Sequence, residues 1–387
     1  MNATENNQHY VMKSLSNGQD DLEEGEYDAC LRAMILSAGQ VNAAVLNAAL
    51  ELNLFDIISE SKGSEDGFVS PTEIASRLTS HKSQSDTVAV AGRLDRMLRL
   101  LVAHSLLTCS VRITDDDDDT TQKLYGISPT GQYFVSKQDG ASWASLMPSI
   151  SYHPHMSHVF LNLKEAVLKL KEGEDLSKIV HGKSVYEYME TDSALKSKFQ
   201  RTMADQSAMH MDKILQTYKG FEGLSTLVDV AGGTGYSLNM IISNYPSILG
   251  INFDLPHVLR DAPAYPGIKH VGGDMFKSVP RGDAIMIKGT THNWSDEKCI
   301  QIFRNCYEAL KKGGKLIVID LIMEEEPEMS NAAKNVSILD LVMFSQGGGR
   351  ERTEKQFQAL CLKSGFCRFR LASRVLSILG VMEFYKD

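Results

Sequence analysis

The sequence lacks the marks of several classes of protein. Its six cysteines are scattered and form no CxxC pair, which argues against a disulfide scaffold and a structural zinc site. No apolar run is long enough to span a bilayer, and the segment from Met1 to about Asp28 is polar and acidic, without the apolar core of a signal peptide. We therefore expect a cytoplasmic protein with reduced thiols and no membrane partner.

Positive charge is also scarce. Forty Lys and Arg residues stand against 49 Asp and Glu, which gives a net charge of -9. This sign repels nucleic-acid phosphates, so nucleic acid is not an expected partner. Hydrophobic residues are plentiful at 43%, and 387 residues exceed the size at which single cores stop growing, so we expect more than one domain.

The first part of the chain has a helical pattern that ends in a hairpin. Apolar residues recur at helical spacing over 29–58, Ser70-Pro71-Thr72-Glu73 is typical of a helix start, and 93–106 predicts another helix. Two short strands follow, Ser110–Thr114 and Leu124–Ile127, separated by five aspartates. This order is that of a winged helix, and because the acidic hairpin tip would repel phosphates, we expect a dimerisation role and not DNA binding.

The rest of the chain predicts an α/β domain. Residues 151–203 are mostly helical in pattern, and strands then alternate with helices, which indicates a parallel sheet covered on both faces. The predicted strands are Leu227–Val230, Ile248–Phe253, Ala284–Ile287 and Leu316–Ile319, with a terminal antiparallel pair at Phe369–Ser373 and Val381–Tyr385. The predicted divisions are a polar tail (1–28), a winged-helix dimerisation domain (29–150), a helical connector lining the substrate site (151–205) and a cofactor-binding domain (206–387).

A glycine-rich loop, Asp229-Val230-Ala231-Gly232-Gly233-Thr234-Gly235, follows the first strand of the α/β part and opens a helix. Asp254, at the end of the next strand, is placed to bind ribose hydroxyls. Such a loop serves a dinucleotide or S-adenosylmethionine. The third glycine of a dinucleotide fingerprint would fall at Leu238, so a ligand with an amino group and no pyrophosphate is favoured.

A second glycine-rich turn, Gly272-Gly273-Asp274-Met275, follows the third strand region. Asp274 is a candidate for binding the adenine amino group, and Met275 for packing on the ring. The alternative is a plain turn with a capping aspartate, and the motif alone does not separate the two readings.

His292 is the candidate catalytic residue. It follows the strand that ends near Lys288, and ligands of open α/β sheets bind at the carboxyl ends of the strands. If the substrate is a phenol, its hydroxyl titrates near pH 10 and is mostly protonated at neutral pH. A neutral histidine could then act as a general base by accepting that proton. Asp320, at the end of the next strand, and Glu351, from a later loop, are candidates to orient the imidazole.

Three histidines, His153, His155 and His158, lie within six residues. Imidazole is a common metal ligand, but no acidic or cysteine partner lies nearby in sequence and Pro154 constrains the backbone. We do not expect a metal site there.

Several motifs in fixed order give the chain a resemblance to a known family. LVDVAGGTG, INFDLPHV, HVGGDMF, HNWSDEKC, NCYEAL, GGRERTEKQF and GVMEFYK resemble the plant S-adenosylmethionine-dependent small-molecule O-methyltransferases of the caffeic acid and flavonoid type. The resemblance runs from about Cys30 to the last residues. Within this family the sequence looks closest to the chalcone (isoliquiritigenin) 2'-O-methyltransferases, because HNWSDEKC replaces the usual HDWSDE and the GGGRERTEKQF segment is short.

The resemblance implies a homodimer, with an N-terminal helical winged-helix dimerisation domain and a C-terminal Rossmann-like class I methyltransferase domain. It implies direct, metal-free methyl transfer from S-adenosylmethionine to a small phenolic substrate, with His292 as general base flanked by Asp320 and Glu351. By motif position, the cofactor-binding residues are Gly232, Asp254, Asp274, Met275 and Lys288. The residues in the positions that line the aromatic pocket are Met203, Gln206 and Met343.

Three positions depart from the family pattern. Ala231 replaces the first loop glycine, Asp320 replaces the usual glutamate and is one methylene shorter, and Gly289 stands where a bulky residue is common. The first two bear on catalytic efficiency, and the third enlarges the predicted pocket.

The predicted function is O-methylation of a chalcone, flavonoid or related phenylpropanoid. The alternatives are an alkaloid phenol or amine as acceptor, a nicotinamide-dependent oxidoreductase, and a catalytically silent binding protein. The missing third glycine disfavours the oxidoreductase, and the presence of His292 disfavours the silent protein.

Overall fold

The computed structural model describes residues 18–61, 67–79, 84–113, 121–136, 141–146, 151–171, 174–260, 262–347 and 349–387. The chain divides into two compact units, Met1–Gln132 and Tyr133–Asp387. The five aspartates of the predicted hairpin tip and the first part of the predicted polar tail lie outside the described residues.

The first unit is built on five helices. The helical stretch predicted over 29–58 is divided in two places, at Ala38 and at Asn53, where a left-handed backbone (φ 52°) ends the regular hydrogen bonding. The first helix begins inside the segment predicted as a polar tail. The helices are α1 (Gly18–Ser37), α2 (Gly39–Glu51), α3 (Leu54–Glu60), α4 (Pro71–Leu78) and α5 (Gln84–Ala103).

The predicted start of α4 is confirmed. Ser70 is the N-cap residue: its hydroxyl accepts the Glu73 N–H at 3.3 Å, and the Glu73 carboxylate accepts the Ser70 N–H at 2.7 Å. This reciprocal pair satisfies two of the donors that a helix start leaves without partners.

The predicted hairpin is also confirmed. Strands β1 (Leu107–Ile113) and β2 (Thr121–Ile127) pair antiparallel, and Tyr125 of β2 is fully buried, with its hydroxyl donating to Asp95 of α5 at 2.6 Å. The helix–helix–hairpin order of a winged helix is therefore present in this unit.

Helices α1 and α2 carry apolar side chains on the surface of the unit. In the described part of the chain no single helix is long and apolar enough to cross a membrane, although Gly25–Ser37 and Gly39–Glu51 meet that criterion together despite a bend of 58°. We name the exposed apolar residues of these helices the α1 face: Tyr27, Leu31, Met34, Ile35, Leu36 and Val41.

The second unit opens with helices, as predicted for 151–203. The fifth of them, α10, is 25 residues long and runs unbroken through the predicted boundary at 205. These helices are α6 (Pro154–Leu161), α7 (Leu163–Lys169), α8 (Leu176–His181), α9 (Val185–Met189) and α10 (Ser193–Thr217).

An eight-stranded sheet forms the centre of the second unit. Its order is β5-β4-β3-β6-β7-β10-β9, in which the first five strands are parallel and β10 runs antiparallel to both of its neighbours. The two-residue strand β8 pairs with the end of β7. The strands are β3 (Thr226–Val230), β4 (Leu249–Asp254), β5 (Ile268–Gly272), β6 (Gly282–Lys288), β7 (Leu310–Met323), β8 (Arg352–Thr353), β9 (Arg368–Val375) and β10 (Leu379–Tyr385).

Helices cover both faces of this sheet, which explains its near-continuous apolar strands. Alternate residues of one strand serve opposite faces: Val228 joins a cluster with α13 and α15, and Leu227 joins a cluster with α10 and α11. The helices that follow strands are α11 (Tyr236–Asn244), α12 (Pro256–Leu259), α13 (Asp296–Ala309), α14 (Asn331–Phe344) and α15 (Glu354–Lys363). The predicted α/β class is confirmed, and the carboxyl ends of β3 and β6, where the strand order reverses, mark the expected ligand site.

Candidate active site

The loop after β3 approaches its surroundings so closely that one position admits only glycine. A Cβ at Gly232 would lie 2.2 Å from Asn252 Oδ1 and 2.7 Å from Asp229 Oδ2. The neighbouring Ala231 has a left-handed backbone (φ 58°), a conformation that costs a non-glycine residue about 1 kcal/mol. That strain is the physical reason why a glycine suits position 231.

Asp254 lies beside this loop. Its Oδ2 accepts the Gly233 N–H at 2.8 Å and its Oδ1 accepts the Leu255 N–H at 2.6 Å. Both bonds come from backbone at the ends of β3 and β4, so the carboxylate is fixed next to the loop with lone pairs to spare.

Asp229 lies buried at the end of β3, and Lys288 lies partly buried at the end of β6; their charges influence each other. Burial raises the pKa of Asp229 to about 7, with Lys288 opposing the rise, and Asp229 Oδ2 has no hydrogen-bond partner among the described residues. Burial lowers the pKa of Lys288, whose Nζ donates to Ser207 Oγ of α10 at 3.1 Å. The site therefore contains a buried carboxylate oxygen, Asp229 Oδ2, that has no hydrogen-bond donor among the described residues and that is influenced by the positive charge of Lys288.

Asp274 and Met275 lie at the end of β5. Asp274 Oδ1 accepts the Phe276 N–H at 2.9 Å, so this aspartate does cap its own turn, and the carboxylate remains partly exposed. Met275 packs against the apolar cluster of the sheet, and its carbonyl accepts from Asn305 at 2.7 Å. Both readings of this motif thus remain compatible with its geometry.

His292 lies on a short 3-10 helix, Thr291–Asn293, between β6 and α13. Ser295 is the N-cap of α13, and its side chain accepts the Lys298 N–H. Nδ1 of His292 lies 2.9 Å from Glu351 Oε1 and 3.8 Å from Asp320 Oδ1. The structure therefore brings the three predicted catalytic residues together, with Glu351 in direct hydrogen-bond contact.

The pKa of His292 is raised above its ordinary value of 6.5. Burial alone lowers it, but the hydrogen bond that His292 donates to Glu351 and the negative charges of Asp320 and Glu351 more than offset burial. Burial raises the pKa of the Glu351 carboxyl, against the influence of His292.

Asp320 holds the loop on which His292 lies. Its Oδ2 accepts the Thr291 N–H at 3.0 Å and also the Thr291 hydroxyl, and the aspartate is 1% exposed. One oxygen is thus committed to the residue before His292, and the other stays beyond hydrogen-bond distance of the imidazole, as the shorter side chain predicts.

The predicted aromatic-pocket residues lie on two helices. Met203 and Gln206 are partly buried on α10, one turn or less before the Ser207 that contacts Lys288. Met343 of α14 and the His292 carbonyl both lie close to Gly349. A Cβ added at Gly349 would be 3.3 Å from Met343 Cβ and 2.5 Å from that carbonyl oxygen, so Met343 lies near the histidine loop. Gly289 is exposed and has a left-handed backbone (φ 58°), with nothing within 4 Å of the place where a side chain would begin.

Sequence reasoning missed several residues that the fold places at the site. Thr291 directly precedes the HNWSDEKC motif, and Arg352 follows Glu351 within GGRERTEKQF. Both therefore stood next to positions that the sequence had singled out. His210 of α10 carried no sequence signal; it is buried, its ring lies 6.2 Å from that of Trp143, and burial with nearby Lys288 lowers its pKa to about 4.

The histidines around α6 stack on aromatic rings. The ring of His155 lies 3.9 Å from that of His181 and 3.9 Å from that of Tyr188, and His155 Nε2 lies 2.8 Å from Ser177 Oγ. Within the nine described ranges given above, no group of three or more His, Cys, Asp or Glu side chains is arranged to hold a metal ion.

Comparison with known families gives two matches. The O-methyltransferase domain family matches residues 160–367, and the O-methyltransferase dimerisation domain family matches residues 34–137.

Similar proteins cover almost the whole chain. A caffeic acid 3-O-methyltransferase of Prunus dulcis is 45% identical over 360 residues, which is 93% of this chain and 95% of the relative. A flavone 3'-O-methyltransferase of Chrysosplenium americanum is 44% identical over 92% of this chain and 98% of its own length.

Solved structures share the fold at lower identity. Human N-acetylserotonin methyltransferase in complex with SAM has a TM-score of 0.73 at 19% identity, covering 93% of this chain and 98% of that one. The calicheamicin biosynthesis methyltransferase CalO1, in its SAH-bound form, has a TM-score of 0.73 at 21% identity, covering 92% and 98%.

Proposed function

Because the chain belongs to the plant family of S-adenosylmethionine-dependent O-methyltransferases, we propose that it methylates a phenolic hydroxyl of a chalcone, a flavonoid or a related phenylpropanoid, with His292 as general base. Family membership sets methyl transfer above the oxidoreductase and silent-protein alternatives. The single observation that carries the proposed mechanism is the 2.9 Å contact between His292 Nδ1 and Glu351 at the carboxyl ends of the strands.

The chain's residues fit S-adenosylmethionine. A Cβ at Gly232 would collide with Asn252 and Asp229, so the loop backbone packs closely on these two groups. Asp229 Oδ2 is a buried acceptor without a donor among the described residues, and the positive charge of Lys288 acts on it. We propose that Asp229 and Lys288 hold the ammonium and carboxylate groups, and that Asp254 holds the ribose. Asp274 and Met275 would take the adenine. When bound, S-adenosylmethionine supplies a methyl group on positively charged sulfur.

His292 prepares the acceptor in this proposal. An ionised Glu351 can only accept, so the Nδ1–H of His292 donates to it and the lone pair of Nε2 is left for the proton of the substrate hydroxyl. A phenol with a pKa near 10 is mostly protonated at neutral pH, so removal of its proton as the methyl moves increases its nucleophilicity. Asp320 and Glu351 stabilise the resulting imidazolium, which agrees with the raised pKa of His292.

The named relatives and the glycine at position 289 support the proposed class of acceptor. The named relatives act on caffeic acid and on a flavone. The open space at Gly289 suits a ligand with two separated rings, and with the HNWSDEKC motif it favours a chalcone. We propose Met203, Gln206 and Met343 as the residues that contact the aromatic rings.

We also propose the organisation of the enzyme. Residues 29–150 would form a homodimer, residues 151–205 would line the substrate site, and residues 206–387 would bind the cofactor. The match to a dimerisation domain over 34–137 and the exposed α1 face support the homodimer. We propose a cytoplasmic, metal-free reaction.

The test is a transfer assay with methyl-labelled S-adenosylmethionine and four acceptors: a chalcone, a flavonoid, a caffeic derivative and a phenolic amine. We expect label on a phenolic oxygen of the chalcone or flavonoid, and a loss of turnover of about 10²–10⁴-fold in His292→Gln with unchanged cofactor affinity. His104→Gln, an exposed histidine of the other unit, is the control and should retain turnover. Label on nitrogen would refute the phenolic acceptor, and full turnover in His292→Gln would refute the base.

A further inference from the structure

Arg352 is the largest fully buried side chain of the described residues, and its guanidinium contacts the loop that carries His292. Nη1 donates to the Thr291 carbonyl at 2.9 Å and Nη2 donates to the Trp294 carbonyl at 2.6 Å. Nε donates to Asp296 Oδ1 at 3.0 Å. These three acceptors bracket His292 on both sides along the chain.

The residues before Arg352 contact the same loop. Gly349 approaches the His292 carbonyl so closely that a Cβ would lie 2.5 Å away, and the Arg350 N–H donates to that carbonyl at 2.8 Å. Glu351 then contacts the imidazole itself. We name Gly349–Arg352 the clamp segment, since each of its members fixes part of the histidine loop.

The clamp segment is anchored to the sheet. Arg352 begins β8, which pairs with Ile322 of β7 two residues after Asp320, and the Glu351 N–H donates to Asp340 of α14 at 2.8 Å. The carboxylate that contacts His292 and the guanidinium that holds the loop are therefore neighbours on one fixed stretch of backbone.

We propose that Arg352 is a positioning residue, which fixes the His292 loop against Glu351 so that Nδ1 stays in hydrogen-bond contact and Nε2 faces the acceptor. This rests on the proposed function. The buried cation has only one carboxylate partner and two neutral carbonyls, so an ion pair alone does not account for it.

The shape of the side chain matters to this role. A guanidinium presents rigidly spaced donors in one plane, and three acceptors from three different residues match that fork. A lysine keeps the charge but is a compact, flexible cation that cannot hold all three acceptors at these positions. Charge and position can therefore be separated by substitution.

The experiment compares Arg352→Met, Arg352→Lys and the wild-type enzyme. We expect kcat to fall about 10- to 100-fold in both variants, because a misplacement of about 1 Å at a catalytic group costs up to that factor. Affinity for S-adenosylmethionine, measured by calorimetry, should stay within about twofold, since the clamp segment does not touch the proposed cofactor residues. Lys315→Met removes a partly buried, ion-paired cation in the first half of β7 and is the matched control: it should lower the melting temperature and leave kcat unchanged.

The decisive readout is the pKa of His292 itself, followed by NMR of histidine-labelled enzyme, with His292→Gln identifying the signal. The positive charge of Arg352 opposes protonation of His292, whereas Glu351 and Asp320 favour it. If Arg352 acted through charge alone, Arg352→Met would raise this pKa and Arg352→Lys would leave it unchanged. Loss of position separates His292 from Glu351, so the proposal predicts a fall in both variants; a rise or no change would overturn it.

A second variant covers the case in which Arg352→Met fails to fold. Asp296→Ala removes the carboxylate that contacts Arg352 Nε and Arg350 Nη2, but leaves the Thr291 and Trp294 carbonyls as acceptors for Arg352. It should give a smaller fall in both kcat and the His292 pKa. The two proposals fail separately. Full turnover in His292→Gln would refute the base, whereas unchanged titration of His292 in the Arg352 variants would refute the positioning role.

Discussion

At the scale of single residues, the two acidic neighbours of His292 make different contacts: Glu351 contacts the imidazole, and Asp320 contacts the loop. Glu351 Oε1 lies 2.9 Å from His292 Nδ1. Asp320 Oδ2 accepts the Thr291 N–H, and Asp320 Oδ1 lies 3.8 Å from His292 Nδ1. Asp320 therefore acts on the loop by hydrogen bonds and on the imidazole by charge, and the departure from glutamate at this position leaves the direct contact to Glu351.

This division predicts the pH dependence of the reaction. A general base must be neutral, and His292 has a pKa raised above 6.5, so it stays protonated to a higher pH than an ordinary histidine. The acid limb of kcat/KM against pH should therefore have its midpoint above 6.5. Glu351→Gln removes the hydrogen-bonded carboxylate and should move that midpoint down.

The comparison for this prediction is Asp320→Asn, which retains an oxygen for Thr291 and loses only the charge. It should lower the midpoint by less than Glu351→Gln does. A midpoint that rises in Glu351→Gln would contradict the assignment of Glu351 as the partner of the base.

At the scale of elements, the turn between β3 and α11 forms the proposed cofactor site. Its backbone comes within contact of two buried oxygens, Asn252 Oδ1 and Asp229 Oδ2, both without a hydrogen-bond partner among the described residues. The close approach of the backbone to these side chains leaves no room for a side chain at position 232.

Gly232→Ala should therefore weaken S-adenosylmethionine binding by tenfold or more, since the added Cβ must displace Asn252 or Asp229. Calorimetric titration measures the change, which corresponds to about 1.4 kcal/mol per factor of ten. Gly313→Ala is the control: its positive φ of 74° makes the substitution strained, but nothing lies within 4 Å of the new Cβ and the position is far along β7 from the site. Unchanged affinity in Gly232→Ala would remove this turn from the cofactor site.

At the scale of the whole molecule, the α1 face is the surface that a single chain leaves uncovered in the first unit. Ile35 is 54% exposed and Leu36 is 81% exposed, both within the segment that matches a dimerisation domain. Several exposed apolar side chains on one pair of helices are typical of association between proteins.

Ile35→Asp should shift the protein from dimer to monomer, because a carboxylate buried in an apolar interface loses its hydration without gaining a partner. Light scattering across a concentration series measures the shift. Val111→Asp places the same charge on an exposed residue of the β1–β2 hairpin and should leave the mass unchanged. A monomeric wild type, or a dimer unaffected by Ile35→Asp, would contradict the homodimer.

Much of this molecule followed from local sequence. Apolar strands separated by helices predicted the covered parallel sheet, because strands buried on both faces must be apolar throughout, and Ser70 with Glu73 predicted the start of α4 because capping is local chemistry. The strand ends also predicted where Asp254 and His292 lie, since the carboxyl ends of parallel strands meet at one edge.

Other features were decided only by tertiary structure. The sequence could not show whether Glu351 or Asp320 contacts the imidazole directly. The two carboxylates differ by about 1 Å in their distance from His292 Nδ1, and that difference depends on how β7 and β8 pair. Arg352 looked like one more charge in a polar motif, and it is buried because folding brings it against carbonyls some sixty residues earlier in the chain. Local chemistry thus indicated the main elements, although not the breaks at Ala38 and Asn53 or the unbroken course of α10. The distances around His292 arose from long-range packing, which no short stretch of sequence encodes.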